Sequence, residues 1–431
     1  MIRISTNMIF DQGVTNMQNR TAALLKTQDQ IANARRILTP ADDPVASARS
    51  LEVEQSKAIN EQYQRNADSA TTALGLSENA LTSVTTLLQD VKTIAVSAGN
   101  GAFSEKELDT LGEELRGRYQ ELLGLTNSTD GNGQYLFSGY QGATRPFAET
   151  APGVVAYQGD QGARLTQITS SRQIEVSDAG SDVFQLIKNG NGTFVAGAST
   201  ANTGTGIVSP GTVTDPTAWN ATGNPRDFSV RFHVDNTLNP PVTTYDLVDN
   251  TTGNSLLTGA PSGAGPYLRT YTDGGSITLT SQGAEPAFAF GAQISIKGDP
   301  VTGDTFTIQA STNVDVFRTL NDLITAVENA TRTPAGNARL ANDLNLSLSN
   351  IDNSLDNVLR VRAAVGARLQ EIDTARSAGE DLVLQYQKTL SGLRDLDYAK
   401  SISDLTLQQT TLQAAQQSFL RVQGLSLFNF L

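Results

Sequence analysis

The chain contains no cysteine and only one histidine, His233. Without thiols it can form neither disulfides nor thiolate metal sites. One imidazole is too few for a zinc site or a Ser–His–Asp triad. Positive charge is also scarce: 31 Lys and Arg stand against 44 Asp and Glu, a net charge of -13. A duplex-binding surface needs clustered cations, so nucleic acid is not an expected partner. No apolar run approaches the roughly 18 residues of a membrane span, so no membrane partner is expected. Met1-Ile2-Arg3-Ile4-Ser5-Thr6-Asn7 lacks the basic and apolar blocks of a cleaved secretory signal. No cluster of titratable groups suits catalysis, and neither enzyme activity, a cofactor nor a metal is expected.

Helix breakers are few at the two ends of the chain and concentrated between them. Residues 131–310 hold 25 of the 37 Gly and 11 of the 14 Pro. At 431 residues the chain is long for one core and points to two or three domains. The pattern predicts an α+β multidomain fold, with long helices from both chain ends and a β-rich insertion between them. The insertion alternates as strands do. Phe228, Val230, Phe232 and Val234 interleave with polar residues, and Ile277/Leu279, Ile294/Ile296 and Phe306/Ile308 share the period of two. Its wealth of Gly, Thr, Asn and Ser suits an extracellular surface module.

The first flank repeats every seven residues. Phe10, Met17, Leu24 and Ile31 form one row, and Val14, Thr21 and Gln28 form another. This predicts a helix over 7–34, ended by Pro40, with Asp43 capping a second helix that starts at Pro44. That helix runs to about Ala98 and buries Ile59, Tyr63, Val84, Leu87, Val91 and Ile94. A third carries Leu108, Leu111, Leu115, Leu122 and Leu125. In the last flank, Leu344 to Leu393 keep one heptad frame through Ile351, Val358, Val365, Ile372, Val383 and Tyr386. The frame breaks near Gly392–Asp397. A new row then follows: Tyr398, Leu405, Leu412 and Phe419, with Ile402 and Val422 beside it. The chain finishes Leu425-Ser426-Leu427-Phe428-Asn429-Phe430-Leu431.

Several residues invite a sharper reading. Asp42 and Asp43 could form a catalytic carboxylate dyad, but capping and shaping a bend explain them more simply. His233 alternates with Phe232 and Val234 and is expected at the surface. Asp130-Gly131-Asn132-Gly133 lacks the downstream acids of a calcium loop and reads as a turn. Asn127-Ser128-Thr129 and Asn250-Thr251-Thr252 match the glycosylation pattern as chance does in an Asn- and Thr-rich chain. Trp219 reads as packing in the insertion. The seam over 344–393 is expected to be covered within one protomer. The terminal seams, 7–34 and 398–431, have no such cover. One stripe cannot offset the entropy of ordering its own helix, so the ends are expected to fold on assembly.

Ala34-Arg35-Arg36-Ile37-Leu38-Thr39-Pro40-Ala41-Asp42-Asp43-Pro44-Val45-Ala46 resembles the N-terminal junction of the flagellin family. Its two prolines are similar to the hook-associated branch more than to flagellins proper, which more often carry Asn-Ser-Ala-x-Asp-Asp-Ala there. Ile402 to Leu431, Tyr135-Leu136-Phe137-Ser138-Gly139 and Gly303-Asp304-Thr305-Phe306 are also similar to that branch. The resemblance implies a structural part of the bacterial flagellum that connects hook to filament. It implies an inner helical core (1–42 with 397–431), a helical bundle with a β-hairpin (43–180 with 304–396) and a β-rich outer domain (181–303). The subunit-contact residues would be Phe10, Val14, Met17, Leu24, Ile31, Ile402, Leu405, Leu412, Phe419 and Val422. Pro40, Asp42, Asp43 and Pro44 would cap the domain junction. The implied partners are copies of itself in a ring or tubular layer, another hook-associated protein, flagellin, and an export chaperone that binds the C-terminal helix. Secretion would follow the flagellar type III route. Flagellin itself or another hook-associated axial protein remains an alternative, as does a coiled-coil adhesin with a β head, which would need an anchor or signal peptide.

Overall fold

The computed structural model describes residues 6–427 apart from Ala264 and Pro266. Helix α1 spans Thr6–Asn33 and α2 Pro44–Ala98, with proline at the first helical position, where no amide is needed. Helix α3, Glu105–Thr126, opens on a capping box: Ser104 Oγ accepts from the Glu107 amide, and the Glu107 carboxylate accepts from Ser104 N at 2.7 Å. Two short helices, α4 (Gly180–Phe184) and α5 (Pro216–Trp219), punctuate the strand-rich middle. Helix α6 spans Val316–Glu328, α7 Pro334–Arg394 and α8 Tyr398–Leu427. Among the described residues no helix is long and apolar enough to cross a membrane.

Two compact units emerge. One holds the chain up to Ala67, Ile168–Ser171 and the chain from Asp373 on; the other holds Asp68–Gln167 and Arg172–Ile372. In the second unit α2 buries Leu74, Leu81, Val84, Leu88 and Val91, α3 buries Leu108, Leu115 and Leu122, and α7 buries Leu344, Ile351, Val358 and Val365. A hairpin, Phe147–Ala151 with Val154–Tyr157, closes one side. Its Phe147 ring meets Phe184 of α4 and Phe317 of α6 at 5.6 and 5.4 Å. Asn127 fastens the hairpin through both amide atoms, donating to Phe147 O and accepting from Phe147 N, each at 3.0 Å.

The main strand-rich part of the second unit is two antiparallel sheets over one core. The larger runs in the order Asn254–Ser255, Val242–Asp249, Asp227–Asp235, Thr305–Ala310, Phe194–Ala198. The smaller is centred on Ala289–Lys297, with Ser276–Thr280 and Ile207–Val208 beside it. Val230 lies opposite Leu247 on one side and Phe306 on the other, so the apolar face is continuous across the sheet. Trp219 packs against Phe194, ring centroids 5.3 Å apart, inside this core.

Four expectations change. The Thr305–Ala310 strand is central to the larger sheet, so the β-rich region runs past 303. Phe184 meets Phe137 edge-on at 5.2 Å and the hairpin's Phe147 at 5.6 Å, which leaves α4 with the hairpin rather than with a domain beginning at 181. Full burial of the 344–393 seam stops at Ile372; Val383, Tyr386, Leu390 and Leu393 are only partly covered, and Ile59 of α2 is 46% exposed. His233 is half-buried rather than free at the surface, its ring stacked on Tyr267 at 5.0 Å.

Helix α7 carries a feature that an apolar template does not find. Asn342, Asn350, Asn353 and Asn357 turn to the strand-rich part of the unit and bond its backbone. Asn342 accepts from Val208 N at 2.8 Å and donates to Gly206 O at 3.0 Å. Asn350 accepts from Gly190 N at 2.9 Å, and Asn353 donates to the carbonyls of Lys188 and Gly190, both at 2.8 Å. Asn357 donates to Asp182 O and Val183 O. The backbone of 182–208 thus finds on a helix the partners that a sheet would otherwise supply.

Candidate assembly surface

Helices α1 and α8 pack as an antiparallel pair. One fixed point is Phe10 against Phe419, rings 5.2 Å apart. Another is the bridge between Arg35 and Asp395, beside Leu396 N donating to Ala34 O at 3.3 Å. Both helices rise about 1.5 Å per residue, so these points set Met17 level with Leu412 and Leu24 level with Leu405. Gly13 lies beneath the Phe419 ring; a Cβ there would stand 2.8 Å from Phe419 Cδ2.

The pair covers its seam only in part. Val14, Met17, Leu24, Ile31, Leu405, Leu412 and Phe419 are partly buried, and Phe10 is 46% exposed. One helix shields a narrow stripe of its partner, and the apolar stripe here is wider than that. Val14, Met17, Thr21, Ala22 and Leu25 line an open groove on the uncovered side of α1. Ile402 is displaced from the seam: it is 53% exposed and shares its outward face with Leu420, five turns on and 65% exposed. The residue turned inward at that level is Ser401, 8% exposed. The side chain of Val422, and Phe428, Phe430 and the rest of the final segment, lie outside the described residues.

The inward rows three residues beyond the heptad positions are small or polar. They are Gly13 and Thr27 on α1 and Ser401, Gln408 and Ala415 on α8. A search for apolar periodicity passes over them; reading the +3 positions as well as the +4 positions would have found them.

Where the pair ends, one residue and its neighbours reverse the chain. Helix α1 stops at Asn33, six residues before Thr39-Pro40, so Pro40 is not its terminator. Ala34 takes φ +57° and turns the backbone out. Arg36 then donates its amide to Arg394 O at 2.8 Å, its Nη2 to Leu393 O at 2.8 Å and its Nη1 to Asp43 Oδ2 at 3.1 Å. Asp43 accepts from Ala46 N at 3.0 Å at the start of α2. Asp42 Oδ2 accepts from Leu38 N at 3.0 Å and Thr39 N at 2.8 Å, and Asp42 Oδ1 meets Lys26 Nζ at 2.6 Å. Glu54 of α2 holds Arg394 through Oε2 and Nη2 at 2.8 Å. Pro40 and Pro44 are exposed at the turn and the helix start.

These contacts are charge-assisted, and they shift the acids. Lys26 and the amides of Thr39 and Leu38 hold the Asp42 carboxyl well below the usual aspartate range. The Ala46 amide, then Arg36, lowers Asp43, and Arg394 lowers Glu54. Groups held so firmly as anions are poor proton carriers. Their place is at the meeting of the ends of α1 and α7 with the starts of α2 and α8. Among the described residues no group of three His, Cys, Asp or Glu could hold a metal ion.

Residues 4–142 match the model of the bacterial flagellin N-terminal helical region. The chain is 26% identical to flagellar hook-associated protein 3 of Salmonella typhimurium over 427 residues, 99% of each protein. The crystal structure of flagellar hook associated protein-3 from Legionella pneumophila aligns with a TM-score of 0.70 at 28% identity, over 79% of this chain and 98% of that one. FlgL of Xanthomonas campestris aligns with a TM-score of 0.66 at 30% identity, over 79% and 99%. Paired terminal helices with an inserted β-rich region make this a flagellin-like fold. The chain belongs to the flagellar hook-associated protein 3 family and is a structural component of the bacterial flagellum.

Proposed function

We propose that this chain joins hook to filament, and that its action is mechanical rather than catalytic. The terminal helices of neighbouring copies interlock in a ring or tubular layer. Another hook-associated protein borders the layer on one side and flagellin on the other. The chain reaches its site through the flagellar type III export channel, with a chaperone held on α8 until delivery. The single observation that carries the reading is the half-covered seam. Phe10 is 46% exposed, and Val14, Met17, Leu24, Leu405, Leu412 and Phe419 are only partly buried, where α1 packs against α8. Exposed apolar rows of this length mark an interaction surface, and a second copy supplies the missing apolar wall.

Leu412→Asp tests it. A charge at the centre of the seam should abolish incorporation into flagella, while the thermal melt of the unit spanning Asp68–Ile372 stays unchanged. Full incorporation of the variant would refute the interlocking model. Cells lacking the protein should carry hooks without filaments in electron micrographs.

A further inference from the structure

Asp130-Gly131-Asn132-Gly133 forms a turn shortly after α3, with Asn132 and Gly133 exposed. Asn132 is one of four asparagines that precede glycine; the others are Asn100, Asn189 and Asn191. Glycine has no Cβ to keep its amide nitrogen from the carboxamide carbon of the residue before it, so the two can close a small ring within the chain. Asn100, Asn132 and Asn191 share the tripeptide Gly-Asn-Gly, and a difference among those three must come from the fold.

The fold holds them unequally. Asn191 Oδ1 accepts from Thr193 N at 3.0 Å and Phe194 N at 2.9 Å, and its Nδ2 donates to Pro210 O at 3.3 Å and Gly211 O at 3.2 Å. Asn189 Oδ1 accepts from Ser311 Oγ at 3.1 Å and Thr312 N at 2.9 Å, and the Gly190 amide beside it donates to Asn350 Oδ1 at 2.9 Å. Asn100 Oδ1 accepts from Ala102 N at 3.0 Å, and its carbonyl accepts from Phe103 N and Arg332 Nη2, both at 3.2 Å. Among the described residues the Asn132 carboxamide meets no hydrogen-bond partner. The bonds at this step are those of the two backbone amides, Asn132 N to Asp130 Oδ1 at 2.8 Å and Gly133 N to Asp130 O at 3.1 Å.

We propose that Asn132 is the principal site of non-enzymatic deamidation in this chain. The Gly133 nitrogen gives up its proton and bonds to Asn132 Cγ. The Cγ–Nδ2 bond breaks, and ammonia leaves with that proton, which closes a succinimide. Water then opens the ring. Cleavage at Cγ gives aspartate; cleavage at the main-chain carbonyl carbon gives isoaspartate, whose backbone runs through Cβ and Cγ. Either product adds a negative charge beside Asp130. Isoaspartate also lengthens the backbone inside a turn closed by Asp130 N on Gln134 O at 2.7 Å and by Gln134 N on Asp130 Oδ1 at 2.8 Å. Leu136 and Phe137 follow directly and are buried, so the modification loosens the turn that leads them into the core.

Each hydrogen bond that must break before the carboxamide can reach the next nitrogen slows ring closure about two- to tenfold. Asn100 should accordingly react roughly tenfold more slowly than Asn132, and Asn191, bonded at both ends of its carboxamide, about a hundredfold more slowly. Incubation of the full chain in mildly alkaline buffer, followed by peptide mass mapping, reads the order. The Asn132 peptide should gain the mass of an acid first and split into aspartate and isoaspartate forms, while Asn189 and Asn191 stay amides. In guanidinium chloride the three Gly-Asn-Gly sites should react at closely similar rates. A folded chain in which Asn189 or Asn191 keeps pace with Asn132, or Asn100 overtakes it, overturns the proposal. A lead for Asn132 that persists unchanged in denaturant also overturns it, because sequence and not fold would then select the site. Asn132→Gln, which must close a larger ring, should remove the early mass gain; a gain that persists in this variant places the reaction elsewhere.

Discussion

At the scale of single residues, the junction at 34–46 and the start of α2 beside it hold three carboxylates as anions. Asp42, Asp43 and Glu54 all titrate below their ordinary values in the folded chain. The linkage follows from that direction. Protons bind the unfolded chain first, so the stability these groups confer is complete above the ordinary carboxylate range, about pH 4, and is lost as pH falls through the lowered values. Amides at 38–46 should therefore exchange faster, relative to the rest of the chain, only below about pH 4. Asp42→Asn should remove that pH dependence in part and speed exchange at Leu38 and Thr39 at neutral pH. High salt should have a smaller effect than acid, because the bonds to backbone amides are not screened as an exposed ion pair is.

At the scale of elements, helices were legible in the sequence wherever the heptad was apolar. The bounds of α1, α2 and α8 fall within a residue or two of those read from Phe10 to Ile31, from Pro44 and from Tyr398. The strands at Phe228, Ile277, Ile294 and Phe306 were legible through alternation, and one-residue slips would have turned each outward. What stayed hidden was polar or small. Neither Gln408 in the seam nor the asparagines of α7 give an apolar period: the asparagines bond backbone, and Gln408 is a polar residue whose carboxamide oxygen is buried. Nor could the sequence reveal that Ala34 rather than Pro40 ends α1, since a positive φ at alanine leaves no compositional mark. Asn342 is the sharpest test of the hidden set. Asn342→Ala strands Val208 N–H and Gly206 C=O in a buried place. Urea titration should show a loss of about 1–3 kcal/mol for each group left unpaired. In the terminal pair, Gly13→Leu should relieve the roughly 1 kcal/mol helix cost of glycine. The displaced Phe419 ring should more than cancel that gain, at about 1–3 kcal/mol, and exchange in α1 should quicken.

At the scale of the whole molecule, burial is graded along the chain. Helix α2 beyond Ala67 and α7 before Asp373 carry fully buried apolar rows, whereas α1, α8 and the ends of α2 and α7 beside them carry half-covered ones. Local opening follows apolar cover. Brief proteolysis of the monomer should cut within 6–33 and 398–427 before it cuts within 68–167 or 172–372, and the terminal sites should become resistant in assembled flagella. Equal resistance in monomer and assembly would contradict a coupled ordering of the ends. Ala34 adds a mechanical corollary. An alanine at φ +57° sits in a narrow well that glycine would widen. The elbow it forms is consequently rigid, closer to a welded bracket than to a swivel, and suited to passing torsional load along the chain. Ala34→Gly would relax the well and trade that stiffness for play in the joint.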